Sequence, residues 1–268
     1  MANIAIYTFN SDTDTLPTFN SGYTYEYTDA DNGDGTITRT ITSETLPSSI
    51  SFSGKTGLVS LSYLDISNVT DMNRMFYNCN KLTTLDVSNW NTSNVTDMNR
   101  MFTYCLSLTS LDLSNFNTSK VINMRCMFQA CTNLTTLDVS NFNTSNVTDM
   151  AAMFYNCKNL TTLDLNNFNT GNVTDMNSMF SNCTNLIKIK MENNNIETIN
   201  KIIDVLPIRT EYGVIDLMGN KKVSGTNYNI AKEKYWKVYY RDSDRPFIKN
   251  VKNINTKAIL NKKVMPRH

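Results

Sequence analysis

The sequence holds one histidine, His268, at its last position. That removes most Ser-His-Asp and Cys-His nucleophile systems and most mixed Cys/His zinc sites. Its nine glycines form neither common phosphate-cradling loop. Six cysteines include no C-x-x-C pair, so no zinc ribbon or thioredoxin-like motif is written here. The net charge is +1, which points to no polyanionic partner, and nucleic acid is not expected. No run approaches the ~20 apolar residues of a membrane span, and membrane insertion is not expected. The opening MANIAIYTFNSD lacks a basic start, a long apolar run and a small-residue cleavage site, so it is read as no secretory signal. The other end shows no hydrophobic anchor.

Charge is present but uneven. Residues 1–57 carry Asp12, Asp14, Glu26, Asp29, Asp31, Asp34 and Glu44 against Arg39 and Lys55. Residues 241–268 carry Arg241, Arg245, Lys249, Lys252, Lys257, Lys262, Lys263 and Arg267 against Asp242 and Asp244. A basic end of this kind is either a solvated tail or a dock for an acidic partner.

What is abundant is repetition. Asp71-Met72, Asp97-Met98, Asn123-Met124, Asp149-Met150 and Asp175-Met176 recur at a step of 26 residues. Met75-Phe76, Met101-Phe102, Met127-Phe128, Met153-Phe154 and Met179-Phe180 keep the same step, as do Cys79, Cys105, Cys131, Cys157 and Cys183. Within one unit, Leu82 to Val87 ends in apolar–polar alternation and predicts a short strand. SNWNTSN is turn chemistry. Thr96 then reads as a helix cap, with Asp97 at the positive end. Met98, Met101, Phe102 and Cys105 follow at the spacing of one helical face. The reading is strand, turn, short helix, with six strand segments beginning near Leu61, Leu82, Leu108, Leu134, Leu160 and Leu186. Stacked strands would lie ~4.8 Å apart. The predicted fold class is an α/β repeat: a leucine-rich-repeat-like solenoid with short parallel strands and short helices, plus a small N-terminal β domain and a C-terminal α/β cap.

The stretches LDVSNWNTSNVTDMNRMF and LDVSNFNTSNVTDMAAMF resemble the BspA-type leucine-rich repeats of bacterial surface proteins. The resemblance covers about residues 58–191. It implies a curved solenoid, a role in adhesion or protein contact, and no catalysis. The segments YTFNSD, TLPTFNSGYTYEYTDADNGDGTITRTI and LPSSISFSG resemble the opening of some repeat-bearing phage tail proteins. Ile248 to Asn255 is a weaker echo of a strand-pair motif in such proteins.

The flanks divide the chain into 1–57, a small β-rich domain; 58–191, the repeats; 192–240, a cap; and 241–268, the basic tail. In the first, Asp29 to Gly35 reads as a hairpin turn. A calcium loop would need an oxygen ligand where Gly33 stands, Gly where Asp34 stands and Glu where Thr40 stands. In the cap, Ile196–Leu206 predicts an amphipathic helix, Val214–Leu217 and Trp236–Tyr240 strands, and Ile230–Lys234 a second helix.

Three sets of columns are candidates for contact or chemistry. Asp65, Asp86, Asp112, Asp138 and Asp164 share the non-core face of the strands. Bare carboxylates at strand spacing repel, so they are either a cation- or ligand-binding strip or a ladder bonded to the Ser88, Ser114, Ser140 and Asn89, Asn115, Asn141 columns. Tyr77, Thr103, Gln129, Tyr155 and Ser181, with Asn78, Tyr104, Ala130, Asn156 and Asn182, vary between units. Tyr77, Tyr104 and Tyr155 among them suit an interface, being apolar with a polar tip. The five column cysteines read as buried thiols, or as disulfide or metal ligands between turns. Cys126, where other units have Arg74, Arg100, Ala152 and Ser178, is expected to be the more exposed. Trp90, Phe116, Phe142 and Phe168 read as core. No enzyme activity, cofactor or metal is expected. The expected function is binding and adhesion, in a phage tail or baseplate contacting a host cell-surface protein or glycan. Alternatives are a BspA-type cell-surface adhesin and an architectural virion subunit among neighbouring virion proteins. A homo-oligomer is left open.

Overall fold

The computed structural model describes residues 1–13, 16–191, 194–209, 211–221 and 228–241. The basic tail from residue 242 onward lies outside them, as does its expected strand-pair echo.

The N-terminal part is a mixed sheet. Strand β1 (Ala2–Asn10) runs at its centre, and β2 (Thr18–Phe19) pairs with β5 (Ile50–Ser51) beside it. Strands β3 (Glu26–Asp31), β4 (Thr36–Ser43), β6 (Leu58–Leu64) and β7 (Thr84–Leu85) complete the order β3-β4-β1-β6-β7. In β1, Ala5, Tyr7 and Phe9 alternate inward, and a register shift between Asn3 and Ala5 lets Ile4 bury as well. The turn between β3 and β4 needs its glycines: Gly33 and Gly35 sit at φ 75 and 83. β6 then pairs in parallel with β7, which joins this sheet to the first repeated unit.

The expected α/β solenoid with short helices is corrected here. The described residues are mostly sheet and turn, with two helices only, α1 (Ile196–Val205) and α2 (Tyr228–Glu233), both beyond the repeated segments. The segments beginning at Asp71, Asp97, Asn123, Asp149 and Asp175 hold no helix. Their backbone does two other things. The N–H groups of Met72, Arg74, Phe76 and Asn78 bond across to the carbonyls of Asp97, Asn99, Met101 and Thr103, at 2.8–2.9 Å. The intervening N–H groups of Met75, Tyr77 and Cys79 close tight turns on the third residue back. Arg74 and Asn78 take the left-handed conformation, at φ 57 and 59, and their counterparts in the next four units do the same. A helix would send those N–H groups to the fourth residue back, and left-handed residues would break it. The spacing of Met98, Met101, Phe102 and Cys105 therefore comes from two successive four-residue turns. It is not the 3.6-residue period of a helix.

The expected strands also shorten. β7 has two residues, β8 (Thr162–Asp164) and β9 (Lys188–Lys190) three each, and the segments around Leu111 and Leu137 carry none. What joins successive units is the turn-side backbone pairing, marked by parallel bridges Asp71↔Asp97, Asp97↔Asn123, Asn123↔Asp149 and Asp149↔Asp175. Inside, Phe52, Phe76, Phe102, Phe128, Phe154 and Phe180 stack with ring centroids 5.7–5.8 Å apart. Trp90, Phe116, Phe142 and Phe168 are buried beside them.

The stack ends on a parallel sheet of order β11-β10-β9-β8, with β10 (Gly213–Lys221) and β11 (Trp236–Arg241). Asn195 caps α1 by accepting from the Thr198 N–H, and Ile199, Ile202 and Ile203 bury its apolar face. Trp236 is buried against Gly213, where a Cβ would come within 2.5 Å of the indole. The indole Nε1 donates to the Pro207 carbonyl at 3.0 Å.

Candidate contact surface

The aspartate column is where the sequence places it, but each carboxylate is occupied locally. Asp65 accepts from the N–H and hydroxyl of Ser67, at 2.9 and 2.6 Å. Asp86, Asp112, Asp138 and Asp164 each accept the N–H two residues on, from Ser88, Ser114, Ser140 and Asn166, at 2.9–3.1 Å. These bonds stabilise the ionised form. They hold Asp86 and Asp138 below the usual carboxylate range, mainly through the serine hydroxyls, and Asp112 mainly through the Ser114 N–H. The column is thus a series of separate Asx turns. Among the described residues, bonds of these carboxylates from unit to unit are limited to Lys190, which reaches Asp164 at 3.4 Å. A groove of about 550 Å³ lies on this face, lined by Leu111, Leu137, Asp112, Asp138, Asp164 and Lys190 among others. It coincides with the units whose strand pairing lapses.

The asparagine column works between units. The Asn115 side-chain amide donates to the carbonyls of Val87 and Trp90, and Asn141 to those of Leu113 and Phe116, at 2.7–3.0 Å. Asn194 repeats the pattern on Leu165 and Phe168. The threonines Thr92, Thr118 and Thr144 add a second set, each hydroxyl donating to the carbonyl and accepting the N–H of Asn117, Asn143 or Asn169.

The cysteines form a third. The Sγ atoms of Cys79, Cys105, Cys131, Cys157 and Cys183 lie 2.9–3.2 Å from the carbonyl oxygens of Phe52, Phe76, Phe102, Phe128 and Phe154. All six cysteines are free and buried. Burial pushes the Cys79, Cys131 and Cys183 thiols up to about 12 and drives Cys105 and Cys157 well above the ordinary range. Cys126 is buried too, at 4% exposure, against the expectation of an exposed thiol. We expect the column thiols to resist iodoacetamide at mildly alkaline pH and to react together on denaturation. Alkylation of one column thiol in the folded protein would contradict this.

A second acidic column escaped the sequence reading, which took its members for helix-start charges: Asp71, Asp97, Asp149 and Asp175, with Asn123 between. Each carries an Asx turn to the residue two on. Arg125 reaches two of its carboxylates, Asp149 at 3.5 Å and Asp175 at 3.2 Å. Ala151, next in the Arg125 column, leaves room for that reach. Asp97 is raised by desolvation, with the Asp71 charge adding to it. The signal in the sequence was the joint departure at Asn123, Arg125 and Ala151 from the Asp, Asn and Asn of the second unit.

The varying columns are brought together only in part. Thr103 and Ala130 are buried, and the Thr103 hydroxyl donates to the Cys126 carbonyl at 2.5 Å. Tyr77 and Tyr104 meet edge to face with centroids 6.0 Å apart, and the Arg74 guanidinium lies 5.9 Å over Tyr77. Tyr155 stands apart, two units away, with Asn182 donating to its hydroxyl at 3.3 Å. Tyr104 is 40% exposed on left-handed backbone, φ 63. Asn78, Asn156 and Asn182 hold that position in other units.

The arrangement defines a protein of hydrogen-bonded layers, closed by side-chain ladders and showing an aromatic–arginine patch. The family described as "Mycoplasma protein of unknown function, DUF285" matches residues 49–137 and 112–207. These matches cover more than half of the chain, and the protein belongs to that family. No curated protein and no solved structure matches the chain.

Proposed function

We propose that the protein is a non-enzymatic binding and adhesion module of the BspA type, meeting a cell-surface protein or glycan through the patch of Tyr77, Tyr104 and Arg74. The observation that carries this reading is Tyr104. A bulky residue in the left-handed region costs ~1–2 kcal/mol, which asparagine or glycine largely avoids. Three sister units use asparagine there. Tyr104 keeps both the strain and an exposed ring, which fits a contact anchor better than a structural part. The repeat resemblance to bacterial surface proteins and the family membership support the same reading. The resemblance of the flanks to phage tail segments supports display on a virion, and recovery of the protein in purified particles would distinguish that from a cell envelope.

The test is binding of fluorescently labelled full-length protein to intact cells of the source bacterium and its relatives, beside Tyr104→Asn. The expected result is saturable, strain-selective binding that weakens ~10-fold in the variant, the loss of one anchor. Thermal stability of the variant should stay level or rise. Equal binding by both proteins would remove the patch from the contact, and absence of binding to every strain would remove the adhesion reading.

A further inference from the structure

The strand order places two sheet edges at opposite ends of the molecule. β3 is last at one end and β11 last at the other. At ~4.8 Å per neighbour they lie up to roughly 50 Å apart. All six residues of β3 are exposed, and the strand pairs on one side only, with β4. An unpaired edge offers a row of backbone donors and acceptors to any strand that fits it.

Charge narrows what fits. β3 carries Glu26, Asp29 and Asp31 and no base, and Asp34 follows in the turn. Asp29 is held by Arg39 through two bonds of 2.7 Å, while among the described residues no cation pairs with Glu26 or Asp31. Two copies meeting β3 to β3 would set acid against acid, which opposes pairing. A basic extended segment is favoured instead. This chain has a basic sequence to offer: β11 ends at Arg241, and seven of the residues that follow it are Lys or Arg, against Asp242 and Asp244. Within it, Ile248-Lys249-Asn250-Val251-Lys252 combines β-branched residues with lysines.

We propose that residues 242–268 of one copy add to the β3 edge of a second copy, joining molecules head to tail. The contact is heterologous, so it continues into short chains rather than closing on a pair. A tail emerging at the β11 end meets the β3 end of a neighbour without crossing the length of its own stack.

Sedimentation of the full-length protein over a wide range of concentration tests this. Mass should rise with concentration and fall back to that of the monomer in high salt. Glu26→Lys with Thr28→Lys should stay monomeric, as should Lys249→Glu with Lys252→Glu and Lys257→Glu. Among the described residues neither edge side chain, Glu26 nor Thr28, holds a hydrogen bond or ion pair, so circular dichroism should be unchanged. Mixing the two variants should restore association, since each supplies the charge the other has lost. A full-length protein monomeric at every concentration, or association indifferent to both sets of substitutions, would overturn the proposal.

Discussion

Phe128→Ala is expected to cost ~3–5 kcal/mol of stability, the range for emptying a fully buried phenylalanine site. The ring has no exposed surface and lies between Phe102 at 5.7 Å and Phe154 at 5.8 Å, nearly parallel to both. Its removal costs Phe102 and Phe154 one of their two stacking partners each, and both are restrained from filling the gap. Backbone bonds fix both neighbours: Phe102 N–H to the Met127 carbonyl and Phe154 N–H to the Met179 carbonyl, each 2.9 Å. Phe180, at the end of the column, stacks on Phe154 alone among the described residues. Phe180→Ala should therefore cost less, because stability in stacked units is largely a sum of neighbour terms. Urea denaturation of both variants, with Ile122→Ala at a half-exposed site as control, measures the difference. Equal costs at Phe128 and Phe180 would show that the column does not transmit stacking from unit to unit. A domain of ordinary stability, about 5–15 kcal/mol, would lose a large share to the central change.

The ring column shows what the sequence carried and what it did not. Phe76, Phe102 and their successors, and the cysteines beside them, were legible because a step of 26 residues admits little but stacking. The turns were misread because their signature was missing. Left-handed residues are usually announced by glycine, whereas this chain puts Arg74, Arg100, Cys126, Ala152 and Ser178 at the first such position of each unit, and only the asparagines at the second, Asn78, Asn156 and Asn182, hint at it. Without that punctuation, a pair of four-residue turns buries the same positions as one helical face. The aspartates of the strand face were visible as a column with Ser88, Ser114 and Ser140 beside them, but the direction of their bonds, along the chain to the serine N–H, was not. An Asx turn is a bond to the backbone, and a column of identical residues does not reveal whether it bonds along the chain or across units. The Tyr77–Tyr104 contact was legible as a pair of varying columns. That Tyr104 is strained was not, since φ is not written in the residue type. Arg125 was the hardest: its two carboxylates, Asp149 and Asp175, lie in two different later units.

Asn141→Ala is expected to cost ~1–3 kcal/mol, the penalty of stranding partly buried carbonyls. The Asn141 amide serves Leu113, Ser114 and Phe116 at 2.9, 3.3 and 2.9 Å. Those three oxygens belong to the turn of the preceding unit, so the side chain does across the layer boundary what strand pairing fails to do there. Asn89 is the control. The unit before it is shorter by five residues, and among the described residues its side chain has no such turn to bond. Asn89→Ala should fall within ~0.5 kcal/mol of the parent, as surface substitutions do. Asn141→Asp separates donation from shape. A carboxylate of the same size would face carbonyl oxygens and repel them, so its folded pKa must lie above the unfolded value of about 3.9. The folded state then binds more protons than the unfolded one through that window, and stability falls as pH rises. At neutral pH Asn141→Asp should be less stable than Asn141→Ala. As pH drops through the raised folded pKa the gap should close, because the protonated acid can again donate to one carbonyl. If the Ala and Asp variants stayed parallel across that pH range, the amide would not be donating to the turn. The same comparison at Asn115 should give the same crossover, since its bonds repeat those of Asn141 one unit earlier.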